Sequence, residues 1–164
     1  MNITKTIDFS NQHFYIGTDV HKKSWKITIR LNEMQLKTFS MNPNPDELGA
    51  YIKKNYPNGI YHSVYEAGFS GFGIHKRLSE LGFDNIVVSP ADVPSTNKDK
   101  SGKTDKIDSR KLARELASGS LTGIYVPDIF HQQLRSLCRL RGKLKADEVR
   151  IKNRIKSMFM FYSK

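Results

Sequence analysis

Apolar residues along the chain fall into short runs in the first half and into a long helical stripe at the end. Phe14 to Gly17 is a compact apolar run that closes on Thr18 and Asp19, the pattern of a buried strand ending in a carboxylate. From Trp25 to Leu31 the alternation is strict. Trp25, Ile27, Ile29 and Leu31 lie on one side, with Lys26, Thr28 and Arg30 on the other, which predicts a half-exposed strand. Met34 to Phe39 can pair with it through a turn near Asn32-Glu33, completing an antiparallel meander. Pro43-Asn44-Pro45 then breaks the chain before a helix predicted over 46–56. Ile60 to Tyr65 is a second buried-type strand, and it too runs into an acid, Glu66. A glycine-rich link, Gly68 to Gly73, leads to a helix ending near Leu81-Gly82, and Asn85 to Val88 reads as one more strand. The polar stretch 91–103 reads as a loop, followed by helices over about 104–117 and from about Asp128 towards the end.

Three antiparallel strands followed by strand–helix alternation predict an α/β fold. Its mixed sheet is flanked by helices in ribonuclease-H-like order, and a long basic, coiled-coil-like helix follows. The expected division is a domain over 1–127 and a helical segment over 128–164. With 164 residues, 38% of them hydrophobic, the chain can bury a core. A single cysteine, Cys138, excludes an internal disulfide; lying in an apolar-periodic stretch, it is expected to be buried. The absence of a signal-like or membrane-length apolar run predicts a cytoplasmic protein without a membrane partner.

Charge narrows the function. Twenty-seven Lys and Arg against sixteen Asp and Glu leave a net charge of +11, which favours a polyanion such as nucleic acid. Residues 130–164 hold ten of those cations and only two acids, Asp147 and Glu148, whereas the preceding part is nearly balanced.

Carboxylates supply the candidate chemistry. A charge at the end of an apolar strand is costly unless it is paired or metal-bound, which singles out Asp19 and Glu66. Asp105 and Asp108 are three apart at a helix start and share one face. Taken singly, each has a bland explanation: Asp105 complements a helix dipole, and Asp19 sits in a turn. Taken together, four converging acids would repel unless a cation sat among them. An all-oxygen set suits Mg²⁺ or Mn²⁺, and two such ions would support phosphodiester cleavage or transfer. Ser101-Gly102-Lys103-Thr104 is no phosphate loop, because Asn97 stands where that motif needs glycine. The five histidines are scattered without metal-ligand spacing; His21 alone stands close to a candidate acid.

Three segments carry a family resemblance. Gly17-Thr18-Asp19-Val20-His21-Lys22, Tyr65-Glu66-Ala67-Gly68 and Lys103-Thr104-Asp105-Lys106-Ile107-Asp108-Ser109-Arg110-Lys111-Leu112-Ala113 resemble the N-terminal domain of DEDD-type insertion-sequence transposases. These are relatives of the Piv DNA invertase, whose first domain is similar to RuvC Holliday-junction resolvases. The resemblance covers about residues 14–127. It implies a DNA transposase or recombinase in which Asp19, Glu66, Asp105 and Asp108 form a catalytic, metal-binding tetrad. In that expectation Asp19 bridges two ions, Glu66 and Asp108 each complete one site, and Asp105 orients a metal or its water. Lys98, Lys100, Lys103, Lys106, Arg110 and Lys111 are the cations expected to engage phosphates.

The resemblance also implies DNA as a partner and brings in a structured guide RNA, for which no motif is legible. Members of that family carry a further domain with a serine implicated in strand exchange. The chain stops at Lys164, before any such domain, so recombination is expected to be incomplete with these residues alone. Two rival classes remain open. One is a non-catalytic nucleic-acid-binding and dimerisation module; the other, a sugar-kinase or actin-like ATPase, needs a second lobe for which the chain is too short. A four–three spacing through Phe130, Leu134, Leu137, Arg141, Leu144, Glu148, Ile151, Ile155, Met158 and Tyr162 predicts a helical seam and a homodimer through residues 130–162.

Overall fold

The computed structural model describes residues 8–94 and 105–163, with side chains in the second stretch from Asp108 onward. Two compact units divide the chain, Met1–Ile124 and Tyr125–Lys164.

In the first unit, strands β1 (His13–Val20), β2 (Trp25–Leu31) and β3 (Met34–Met41) form an antiparallel meander. Helix α1 (Pro45–Asn55), strand β4 (Ile60–Glu66), helix α2 (Gly73–Glu80), strand β5 (Asp84–Val88) and helix α3 (Asp105–Ala117) follow. The sheet order is β3-β2-β1-β4-β5, with β4 parallel to β1 and β5 parallel to β4. That is the ribonuclease-H-like mixed sheet expected from the pattern. Its parallel strands are those joined by helical crossovers, as a parallel connection requires. Asn32, at φ 49°, makes the tight β2–β3 turn, a conformation asparagine tolerates better than most residues.

Period-two alternation gives each side of the sheet its own helices. Phe14, Ile16, Trp25, Ile27, Ile29, Tyr61 and Tyr65 are buried on one side, where Leu48 and Ile52 of α1 and Ile74 and Leu78 of α2 complete the core. The start of α1 is set by Asn44, whose side chain accepts from the backbone N–H groups of Asp46 and Glu47. On the other side Val64, Val88, Val93 and Leu112 form a buried cluster, with Ile86, Leu116 and Leu121 packed against it. The N–H of Ile124 donates to the carbonyl of Val87 at 2.7 Å, so the chain after α3 returns along β5.

The polar side of β2 departs from the expected half-exposed strand. Thr28 is fully buried, because α3 lies over it and the Ser109 hydroxyl partners its own at 2.9 Å. A second bond, 3.0 Å to the Thr38 hydroxyl, completes its environment. Alternation correctly separates the two faces, but the polar one is covered by a helix and not by water.

The second unit holds helix α4 (Ile129–Tyr162), 34 residues capped by Asp128, whose carboxylate accepts from the His131 N–H at 2.8 Å. None of its residues is buried. Cys138 is exposed, which corrects the expectation of a buried thiol: the helical stripe that contains it stays open to solvent within the chain. Among the described residues, no helix is long and apolar enough to cross a membrane.

Candidate metal centre

Gly17 determines how the candidate site is assembled. A Cβ built on it would lie 2.3 Å from the Ser109 carbonyl oxygen and 2.4 Å from the Ala113 nitrogen. Helix α3 thus rests directly on the β1 backbone, through the small residues Ser109 and Ala113 on successive turns. Two residues further along β1, on the same face, comes Asp19. The register gives Glu66 the neighbouring position. Gly17 pairs with Val64 and Thr18 with Tyr65, so the next step of two parallel strands brings Asp19 level with Glu66. Both acids belong to the last residues of their strands and not to the loops beyond, and the burial of Val64 against Leu112 confirms the face they share with α3.

Asp108 immediately precedes Ser109 and is half-buried, while Asp105 is the first residue of α3. The side chains of Asp105 and Lys106, and all of Lys98, Lys100 and Lys103, lie outside the described residues. Among the described residues, no three His, Cys, Asp or Glu side chains form a ready metal-holding group. The β1–β4 register puts Asp19 and Glu66 on one face at the same end of the sheet, and α3 packs over Gly17 on that face, but Asp108 is not gathered with the two acids into such a group.

The carboxylate of Asp19 is largely but not fully enclosed, its side chain 18% exposed, and Nε2 of the more exposed His21 lies 3.0 Å from Oδ2. This contact spans two residues at the strand end and holds the carboxylate in one orientation. Across the hairpin Lys26 pairs with Asp19 in register, its ammonium donating to the Ser40 hydroxyl at 2.9 Å. The hairpin register, which periodicity alone does not supply, is what places Lys26 beside Asp19. Of the expected cations, Arg110 is exposed, its Nε 3.5 Å from the Thr38 hydroxyl, and Lys111 is half-buried.

The glycine-rich link after Glu66 is anchored from below. The Tyr65 hydroxyl donates to the Gly71 carbonyl at 3.0 Å and accepts the His75 N–H at 3.3 Å. Burial pushes the Tyr65 phenol up to about 12, so it stays protonated as that donor. His75 is held in turn by the Asn85 amide at 2.8 Å, and Asn85 accepts from the buried Ser63 hydroxyl at 2.7 Å. At the other end of the strands, His13 and His62 lie 2.9 Å apart, with Asp84 2.9 Å from His62. Far apart in sequence, they meet because Tyr15 pairs with His62, and His62 with Asp84.

The model of the DEDD-type IS110 family, described as transposase, matches residues 16–163. The transposase for insertion sequence element IS1533 of Leptospira borgpetersenii is 33% identical over 146 residues, covering 86% of this chain and 42% of that protein. A second relative, y4qE of Sinorhizobium fredii, is 42% identical over 77 residues, covering 47% of this chain and 20% of its own length. The chain thus spans less than half the length of these relatives. Among solved structures, the large terminase nuclease of the thermophilic phage G20c aligns with a TM-score of 0.38 at 15% identity, covering 69% of this chain and 59% of its own. With the family model spanning nearly the whole sequence, the chain belongs to the DEDD-type IS110 transposase family.

Proposed function

We propose that residues 1–164 form the metal-dependent nuclease part of a DNA transposase, related to the Piv invertase, with Asp19, Glu66, Asp105 and Asp108 as its metal-binding carboxylates. The observation that supports this reading is the direct seating of α3, the helix that carries Asp105 and Asp108, on Gly17, two residues before Asp19 on the strand that pairs with β4. The donor set is all oxygen, as Mg²⁺ and Mn²⁺ prefer. Bound there, such ions would supply activation of an attacking oxygen and stabilisation of the leaving oxygen of a phosphodiester.

The protein's own groups supply orientation and charge. His21 fixes Asp19, the Thr28–Ser109 hydroxyl pair sets the height of α3, and Lys26, Arg110 and Lys111 draw phosphates to the edge. The cations of 98–106 add to the same attraction, which an RNA guide would share as a second polyanion. Cleavage and strand transfer at DNA ends are the reaction class, and the cytoplasm is where the protein meets its DNA. In the family, strand exchange also draws on a further serine-bearing domain, so these residues supply only part of that reaction.

Helix α4 supports a homodimer as part of the same proposal. Leu134, Leu137, Leu144, Ile151, Ile155 and Met158 are between 47% and 64% exposed, an apolar seam that a second copy would cover. A parallel pair would set Arg141 against Arg141 and Glu148 against Glu148. An antiparallel pair centred near Leu144 joins unlike charges instead. Light scattering at micromolar concentration should give twice the chain mass; a monomeric mass would remove the dimer from the proposal.

The same exposed, basic helix favours a second reading, a non-catalytic binding module. Anisotropy of labelled DNA with and without Mn²⁺ separates the two. The nuclease reading expects Mn²⁺ to tighten binding by wild type and to leave Asp19→Asn unaffected. Binding indifferent to the ion in both proteins would favour the module.

A further inference from the structure

Phe69 is 63% exposed, the most exposed of the large apolar side chains described in the sheet unit. It stands three residues past Glu66, in the link between β4 and α2. Among the described residues, its exposed neighbours in the link and at the end of β1 are Gly68 and Lys22, while Ser70 and Phe72 are half-buried. The ring is nonetheless placed with some definition. Gly71, at φ +60°, closes the link with its N–H on the Gly68 carbonyl at 3.2 Å, and the Tyr65 hydroxyl ties down the Gly71 carbonyl. The ammonium of Lys22, three residues past Asp19, lies 5.8 Å from the centroid of the ring. One face of the phenyl is therefore held by a cation, and the ring as a whole remains mostly open to solvent.

We propose that Phe69, backed by Lys22, is a stacking platform for an unpaired nucleobase next to the Asp19–Glu66 edge. The platform gives the protein a preference for DNA with an unpaired base over continuous duplex. A flat π face with an adjacent cation suits a base whose own phosphate is anionic. Duplex DNA keeps its bases stacked inside and offers the ring nothing to cover it. Both platform residues trail a candidate ligand by three positions, one on each of the paired strands β1 and β4, so a base on the ring would have its phosphate near the carboxylates. The proposal rests on the reading of that edge as a DNA-processing site.

The test uses residues 1–164 without divalent ion and two labelled DNAs, a continuous duplex and the same duplex ending in a single-stranded flap. Stacking of one base on an aromatic ring is worth about 1–3 kcal/mol, or about 5- to 150-fold in affinity. Wild type should favour the flap, and Phe69→Ala should lose about tenfold on the flap and nothing on the duplex. Phe69→Trp should keep the preference and show indole quenching on the flap; Trp25 is the sole native tryptophan and is buried, so it contributes a steady background. Equal flap binding by wild type and Phe69→Ala overturns the platform, as does equal loss on both DNAs. If wild type binds both DNAs alike, the platform alone falls. If it binds neither, the functional reading falls and takes the platform with it.

Discussion

Replacing Gly17 by alanine tests how the acidic helix is held over the sheet. The added methyl would lie 2.3 Å from the Ser109 carbonyl oxygen and 2.4 Å from the Ala113 nitrogen, where ordinary contacts begin near 3.4 Å. Both obstacles are backbone atoms of α3, so no side-chain rotation relieves the clash, and the helix must lift by about 1 Å. Overpacking of that kind costs about 1–3 kcal/mol. The lift also stretches the buried Thr28–Ser109 hydroxyl contact, 2.9 Å in the native packing, which adds about 1 kcal/mol. A total of about 2–4 kcal/mol should lower the melting temperature of a domain this size by about 10 °C. In the same movement Asp108, which adjoins Ser109 on the lifted turn, shifts relative to β1, and the proposed ion site should loosen with it. Mn²⁺ affinity should fall as the carboxylates separate. Calorimetric melting, followed by Mn²⁺ titration at a temperature where the variant is folded, reads both effects. Gly73→Ala is the control, since its methyl meets nothing within 4 Å. A Gly17→Ala protein that melts within 1 °C of wild type and binds Mn²⁺ unchanged would refute the close seating of α3.

Two further outcomes follow from single groups. The Thr18 hydroxyl is buried and finds no hydrogen-bond partner among the described residues, so Thr18→Val should raise the melting temperature, by up to about 1–3 kcal/mol of stability; a clear fall would show that the hydroxyl is satisfied. The Asp128 carboxyl is held below its ordinary 3.8 by the His131 backbone N–H and then by the His131 side chain. A lowered folded value means that the cap stabilises α4 above the unfolded pKa and is lost as pH falls through the folded one. The His131 amide should accordingly keep its native NMR shift down to about pH 4 and lose it below; loss near pH 6 would contradict this assignment.

Strand order and the placement of two acids were legible because period-two alternation and apolar runs report burial directly. Phe14 to Asp19 and Ile60 to Glu66 each read as buried strands ending in a carboxylate, and pairing β1 with β4 makes those ends coincide. Other features depend on contacts across the fold. Gly17 looks like any glycine in a strand until Ser109 and Ala113 arrive over it. Thr28 looks solvent-facing until the Ser109 hydroxyl covers it, and Lys26 comes beside Asp19 only through the hairpin register. Cys138 shows the opposite failure. Helical apolar periodicity signals a face that could be covered, and in α4 that face is exposed among the described residues.

The proposed convergence of Asp19, Glu66, Asp105 and Asp108 on divalent ions is open to calorimetric titration of Mn²⁺ into residues 1–164. Wild type should bind the ion, and it should melt higher with metal than without, because the ion relieves repulsion among the carboxylates. Asp105→Asn and Asp19→Asn should each lose most of that binding while keeping the fold. Equal affinity in wild type and in both variants would contradict the account, because carboxylates that do not share an ion do not form one site.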